Sequence, residues 1–178
     1  MSKIILKEDP QKIETVLQYY TLTNKLKDIV RDLWNNCNTN NNRLESVAEH
    51  IYGTCMLAVG IWSETLPEVN LSQVLLMLAF SEIKQCDNPK IIFEKLVAKE
   101  AYSNLLKEYD DGLTKEAVFA HKCSYLETVI QSATYLSPTQ QLDFINNYKQ
   151  YFEEEDIFNK IYNSIIFNLL NNKDNNND

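Results

Sequence analysis

The stretch NLLKEYDDGLTKEAVFAHKCSYLETVIQSATYL, residues 104–136, reads as two helices joined by a sharp turn. Gly112 stands where a helix ends in a left-handed residue, and Thr114 has the hydroxyl that caps the next helix, over Lys115–Leu136. The same logic extends outward. PKIIFEKLVAKEAYSNLLKEYDDG gives one or two helices, and Asn88 and Pro89 stop the helix before it, LSQVLLMLAFSEIKQC, which Asn70 or Ser72 caps. From about Leu44 to Glu64 the apolar positions Val47, Ile51, Cys55, Ala58, Val59 and Trp62 recur every three or four residues. Residues 10–34 repeat that spacing, with Pro10 at the start and a break expected near Thr21–Asn24. Asn35–Asn42 is a polar loop, and Pro138 opens a last helical region. The expectation is an all-α fold: a single domain of six to eight helices over residues 1–171, with a disordered Asn-rich tail at 172–178.

Composition supports this reading and narrows the function classes. Only three glycines and four prolines occur in 178 residues, too few for the tight turns of all-β or Rossmann-type folds. A net charge of −8 disfavours a nucleic-acid polymer as partner, because phosphates call for a basic stripe. The four cysteines form no CxxC pair and the N-terminus MSKIILKEDP lacks a secretory pattern, so a cytoplasmic protein with reduced thiols is expected. No apolar run approaches the roughly 20 residues that span a bilayer.

The chemistry-bearing residues are few. LLMLAFSEIKQCD (75–87) carries six apolar residues and then Ser81 and Glu82, an acid at the end of a core segment. His50 and His121 are the two histidines, each at an apolar boundary inside a helix. Taken together, His50, Glu82 and His121 are a two-histidine, one-carboxylate set on three helices, a donor combination suited to zinc, iron, manganese or nickel. Taken singly, each reads as a packed or surface side chain, and both readings stay open. Arg31 and Arg43 flank the Asn-rich loop, where a guanidinium can meet an anion bidentately or simply be solvated. A glycine-rich phosphate loop, a GxSxG elbow and an HExxH helix are missing from the sequence.

Three segments in order resemble the HD-domain superfamily, in the branch that holds the small 5′-deoxynucleotidases. RLESVAEHIYGTCMLAVGI is similar to its first signature through Arg43, Glu45, Ser46, Val47 and His50. NKLKDIVRDLW matches an upstream helix with Arg31 and Trp34. The 104–136 stretch matches through Leu106, Glu108, Tyr109, Gly112, Thr114, Glu116, Ala117 and Lys122. Most of residues 13–137 is covered. The resemblance implies an HD-domain-like helical bundle, a divalent metal, a small phosphorylated ligand contacted by Arg31, Trp34 and Arg43, and a homodimer, for which DIFNKIYNSIIFNLL offers apolar residues.

The departures fall on the chemistry. The family holds its metal with a histidine, an adjacent His-Asp pair and a distant aspartate; here these positions read as His50, Ser81 with Glu82, and His121. A family glutamate that handles the attacking water reads as Gln85, and glutamine takes no proton. Two functions follow. In one the scaffold has lost hydrolysis and keeps a pocket for a small anion or nucleotide, with no metal needed. In the other an altered His50–Glu82–His121 site holds zinc, cobalt, manganese, nickel or iron and hydrolyses nucleoside monophosphates.

Overall fold

A computed structural model of the chain describes residues 9–35, 43–86, 89 and 93–174, the side chains of 172–174 excepted. Among the described residues there are eight α-helices: α1 (Pro10–Asn24), α2 (Asp32–Asn35), α3 (Val47–Thr65), α4 (Leu71–Ser81), α5 (Lys99–Asp111), α6 (Lys115–Tyr135), α7 (Pro138–Asn146) and α8 (Ile157–Asp174). Short 3₁₀ turns at Lys25–Lys27, Glu82–Gln85 and Lys149–Phe152 extend α1 and α4 and precede α8. The all-α expectation holds, and no strand occurs among the described residues.

The helix boundaries follow from cap chemistry. Asp9 accepts a hydrogen bond from the Gln11 N–H, and Pro10 opens α1 where its missing N–H costs nothing. Ser46 and Glu49 form a reciprocal capping box that starts α3, and Ser137 with Gln140 does the same for α7. Thr114 accepts from Ala117 N–H at the start of α6, and Gly112 ends α5 at φ 65°, a conformation that suits a residue without Cβ. The expected single helix over 71–86 instead tightens at Ser81 into a 3₁₀ turn. Helix α8 reaches Asp174, three residues into the tract read as a tail; the rest of that tract and most of the Asn-rich loop lie outside the described residues.

Helix α6 is the centre of the bundle. It packs on α3 and α4, while α5 covers its start and α7 and α8 its other side. Because neighbours surround it, its buried positions run nearly all round the helix, as a central helix requires. Ala117, Ala120, Cys123, Leu126 and Val129 are fully enclosed, packed in one core with Ala58, Val74, Met77, Ile145 and Phe152. The alanines let the helix axes approach, and the larger side chains fill the remaining space. A second apolar cluster, with Leu22, Leu26, Val47, Phe80 and Ile83, lies beneath α1. No described helix is long and apolar enough to cross a membrane.

If α6 is the packing centre, Leu126→Ala should lower the unfolding free energy by about 2–5 kcal/mol through lost contacts and a residual cavity. Leu113, 87% exposed in the turn before α6, should tolerate alanine within about 0.5 kcal/mol. Urea denaturation of the two variants checks this difference.

Candidate functional site

An isolated antiparallel bridge between Val30 and Ser46 fixes the first part of the site. Arg31 N–H donates to the Glu45 carbonyl at 3.1 Å, and Val47 N–H donates to the Ile29 carbonyl at 2.8 Å. This crossing sets Arg31 beside Glu45, just ahead of the Ser46 cap. One turn into α3, His50 then faces α6. The result is a cluster in which Arg31 comes from the segment before α2, Trp34 from α2, Glu45 from the bridge just before α3, His50 from the first turn of α3, and Ser124, Glu127 and Thr128 from α6.

Its polar atoms are closely matched. The Arg31 guanidinium donates to Glu45 Oε2 at 3.2 Å and to the Thr128 hydroxyl at 3.2 and 3.3 Å. Trp34 Nε1–H donates to the same Glu45 oxygen at 2.7 Å. His50 Nδ1 lies 2.5 Å from Glu127 Oε2, and its Nε2 lies 3.1 Å from Ser124 Oγ. Arg31 Nη1 is also 3.9 Å from Glu127 Oε2, so one guanidinium faces both acids. Glu45, His50 and Glu127 are all buried, and each offers a ligand atom within 4.8 Å of the others.

Burial governs their protonation. It lowers the His50 pKa from 6.5 to about 4; the Arg31 charge pushes the same way, and Glu45 and Glu82 oppose it. It raises Glu127 from 4.5 to about 7 against the contact with Glu45 and the Arg31 charge. Glu45 is raised as well, by burial and then by Glu127, with the Trp34 N–H, Arg31 and His50 pulling it back. At mildly acidic pH the contact between His50 and Glu127 therefore holds one proton, carried by the carboxyl. A cavity of about 480 Å³ reaches the two acids from outside; Arg43, Glu49, Tyr52 and Gly53 also line it. Gly53 leaves room for this packing: a Cβ there would sit 2.8 Å from Glu127 Oε1, and the carboxylate would have to shift.

The residues singled out in the sequence have separate places. His50 is in the cluster. Glu82, half-buried, accepts from the Gln85 side-chain amide, and its charge reaches both His50 and Tyr109. Ser81 donates its hydroxyl to the Leu78 carbonyl at 3.2 Å. The ring of His121 stacks on Tyr109 at 4.0 Å, and its Nε2 lies 2.8 Å from the Tyr109 carbonyl at the end of α5. Neither Glu82 nor His121 belongs to the group of closely spaced ligand atoms around His50. Arg31 is turned inward. Trp34 is fully buried, its ring 5.0 Å from Tyr135 and 5.6 Å from Phe144, so it has no face open to a ligand. Arg43, with its side chain 83% exposed, pairs with Glu49.

Sequence reasoning did not single out Ser124, Glu127 or Thr128, and it read Glu45 only as part of a signature. The available signal was Glu127 itself, an acid set between Leu126 and Val129 in an apolar stretch of the helix. Gly53 inside α3 was a second signal, because a mid-helix glycine is costly unless something must come close.

No family model matches the chain, and no curated protein matches it by sequence. Solved structures do share the fold. A predicted metal-dependent phosphohydrolase from Magnetospirillum magnetotacticum MS-1 aligns with a TM-score of 0.63 at 17% identity, over 90% of this chain and 96% of that one. A conserved hypothetical protein from Pyrococcus furiosus aligns with a TM-score of 0.56 at 20% identity, over 87% and 99%. The helical bundle is thus one that a predicted metal-dependent phosphohydrolase also adopts.

Two outcomes follow from the cluster. Gly53→Ala should destabilise by about 1–3 kcal/mol through the overpacked Glu127 contact. Gly60→Ala, on the same helix with nothing within 4 Å of the added carbon, should instead gain about 0.5–1 kcal/mol of helix propensity. The second outcome is a pH profile. Between pH 4.5 and 6.5 the unfolded chain protonates the imidazole and ionises the carboxyl, whereas the folded chain does the reverse. Each state then binds one proton at this pair, and the pair adds no pH slope. In Glu127→Gln only the imidazole titrates. Its folded pKa is depressed, so its contribution should be complete above pH 6.5 and lost as pH falls toward 4. Urea midpoints of wild type and variant across this range measure the difference.

Proposed function

We propose that the chain is a divergent scaffold on the phosphohydrolase-type fold that binds a small anion and no longer hydrolyses phosphate esters. The observation that carries this reading is the occupation of His50. Both ring nitrogens face side chains of α6, Glu127 at 2.5 Å and Ser124 at 3.1 Å. The other groups the HD resemblance would recruit are also engaged: Ser81 with the Leu78 carbonyl, Glu82 with Gln85, and His121 with the Tyr109 carbonyl. Gln85 stands where a proton-handling glutamate would be needed, and it cannot take that role.

Electrostatics favours the same reading. A phosphate entering the cavity beside the cluster meets Glu45, Glu49 and Glu127, while Arg43 is already paired with Glu49. Arg31 faces the interior acids and already supplies their positive charge. With both arginines engaged by these acids, the cavity offers an entering phosphate little net attraction.

A second reading rests on the donor set itself. Glu45, His50 and Glu127 offer two carboxylate oxygens and an imidazole nitrogen within 4.8 Å, a combination that fits zinc, cobalt, manganese, nickel or iron. This set would replace the His50, Glu82 and His121 ligands that the resemblance implies. A bound ion would polarise a phosphate oxygen and lower the pKa of a water. In this reading His50 would have to give up its contact with Glu127, and Arg43 would orient a nucleoside monophosphate at the cavity mouth. Homodimerisation belongs to both readings, through Phe167 and Leu170, which α8 leaves 64% and 48% exposed.

The untagged protein, assayed against nucleoside 5′-monophosphates with added zinc, cobalt or manganese, should show no turnover above background and no stoichiometric metal by elemental analysis. Turnover, or a metal equivalent, that disappears in His50→Ala while the fold is retained would establish the second reading in place of the first.

A further inference from the structure

A second cavity lies away from the His50 cluster, between the end of α4 and α5. It measures about 280 Å³ and is walled by Phe80, Ile83, Phe93 and Leu106, with Lys84 and Lys99 at its rim. The rings are mutually packed: Phe80 and Phe93 are 6.1 Å apart, and Tyr102 lies 4.6 Å from Phe80 behind them. An apolar concavity with a few polar groups is the usual form of a small-molecule site, and this volume lies near the lower end of the range for such sites.

The polar groups select the charge of the ligand. Lys84 and Lys99 come from different elements, the 3₁₀ turn after α4 and the first residue of α5, and converge on one cavity. Asp110 also lines it, so the charged side chains among the described lining residues sum to +1 in a chain whose net charge is −8. Among the described residues neither lysine has an ion-pair partner within 4 Å, although the chain has 25 acids and 17 bases. Ser81 and Ser103 border the same space. Two lysines lining an aromatic and aliphatic pit match a ligand with an anionic head and a short hydrocarbon body.

We infer that this cavity binds a small amphipathic carboxylate, its chain among Phe80, Ile83, Phe93 and Leu106 and its head between Lys84 and Lys99. This names a site and a ligand class for the anion-binding half of the functional reading above, on which it rests. Hydrolysis is tested at His50 and binding at this cavity, so the two fail separately. Adding Phe93 and Leu106 contacts to a ligand removes apolar surface from water, which drives binding, while the lysines reject a cationic head.

The probe is sodium octanoate, titrated into the full chain by calorimetry, with octylammonium as the control of opposite charge. Octanoate should bind saturably, with a Kd below about 1 mM, equivalent to about −4 kcal/mol. Octylammonium should bind at least about tenfold more weakly. Lys84→Glu/Lys99→Glu changes two exposed side chains and should weaken octanoate by about tenfold or more through repulsion of the head group. Leu106→Trp, which fills the pit, should abolish binding. Should that variant fail to fold by circular dichroism, the lysine pair decides alone. No saturable octanoate binding at several times 1 mM, equal binding of octylammonium, or unchanged affinity in the lysine variant would overturn the inference.

Discussion

Two acids, Glu45 and Glu127, are buried beside one histidine and one arginine, and the surrounding structure is arranged so that this is tolerable. A bare carboxylate in such a place would cost several kcal/mol. Here the charge is compensated piece by piece: Arg31 and the Trp34 N–H on Glu45, a proton and His50 on Glu127. The exposed pair Arg43 with Glu49 differs in kind, because water screens it and such pairs contribute at most about 1 kcal/mol. The inner network thus ties three chain segments together, residues 31–34, 45–50 and 124–128, and removal of Arg31 would leave Glu45 without its cation.

That constraint shapes the backbone around it. The bridge between Val30 and Ser46 delivers Arg31 to Glu45, and the Ser46 and Glu49 capping box fixes the angle at which α3, and with it His50, leaves the bridge. Gly53 then clears the surface of α3 so that Glu127 can approach from α6. Each device is local, yet all of them serve one juxtaposition between α3 and α6. The same juxtaposition engages the histidine nitrogens that a metal or a reacting group would otherwise use. Structural satisfaction and catalytic availability compete for the same atoms.

Much of this was legible beforehand. The turn at Gly112 and Thr114, the cap at Asn70 and the start at Pro10 were readable because caps and turns depend on neighbouring residues. Arg31, Trp34, Glu45 and His50 were singled out too, as parts of a familiar motif. Their roles were not readable. Trp34 could equally have faced a ligand or the core; only the packing of Tyr135 and Phe144 against it encloses the ring. His121 shows the same limit, since its ring and its Nε2 are engaged by Tyr109 across the turn between α5 and α6.

The sequence by itself determined most of the helices and several of their ends, at Pro10, Gly112 and Thr114 among them. Those features arise from hydrogen bonds and side-chain spacing within a few residues, which a linear pattern records. Which polar side chains meet inside the bundle was decided only by the tertiary structure. One to two turns along α6 separate His121, which faces Tyr109, from Ser124 and Glu127, which face His50. Choosing between those positions depends on how α3 and α6 pack, and that rests on side chains far apart in the chain.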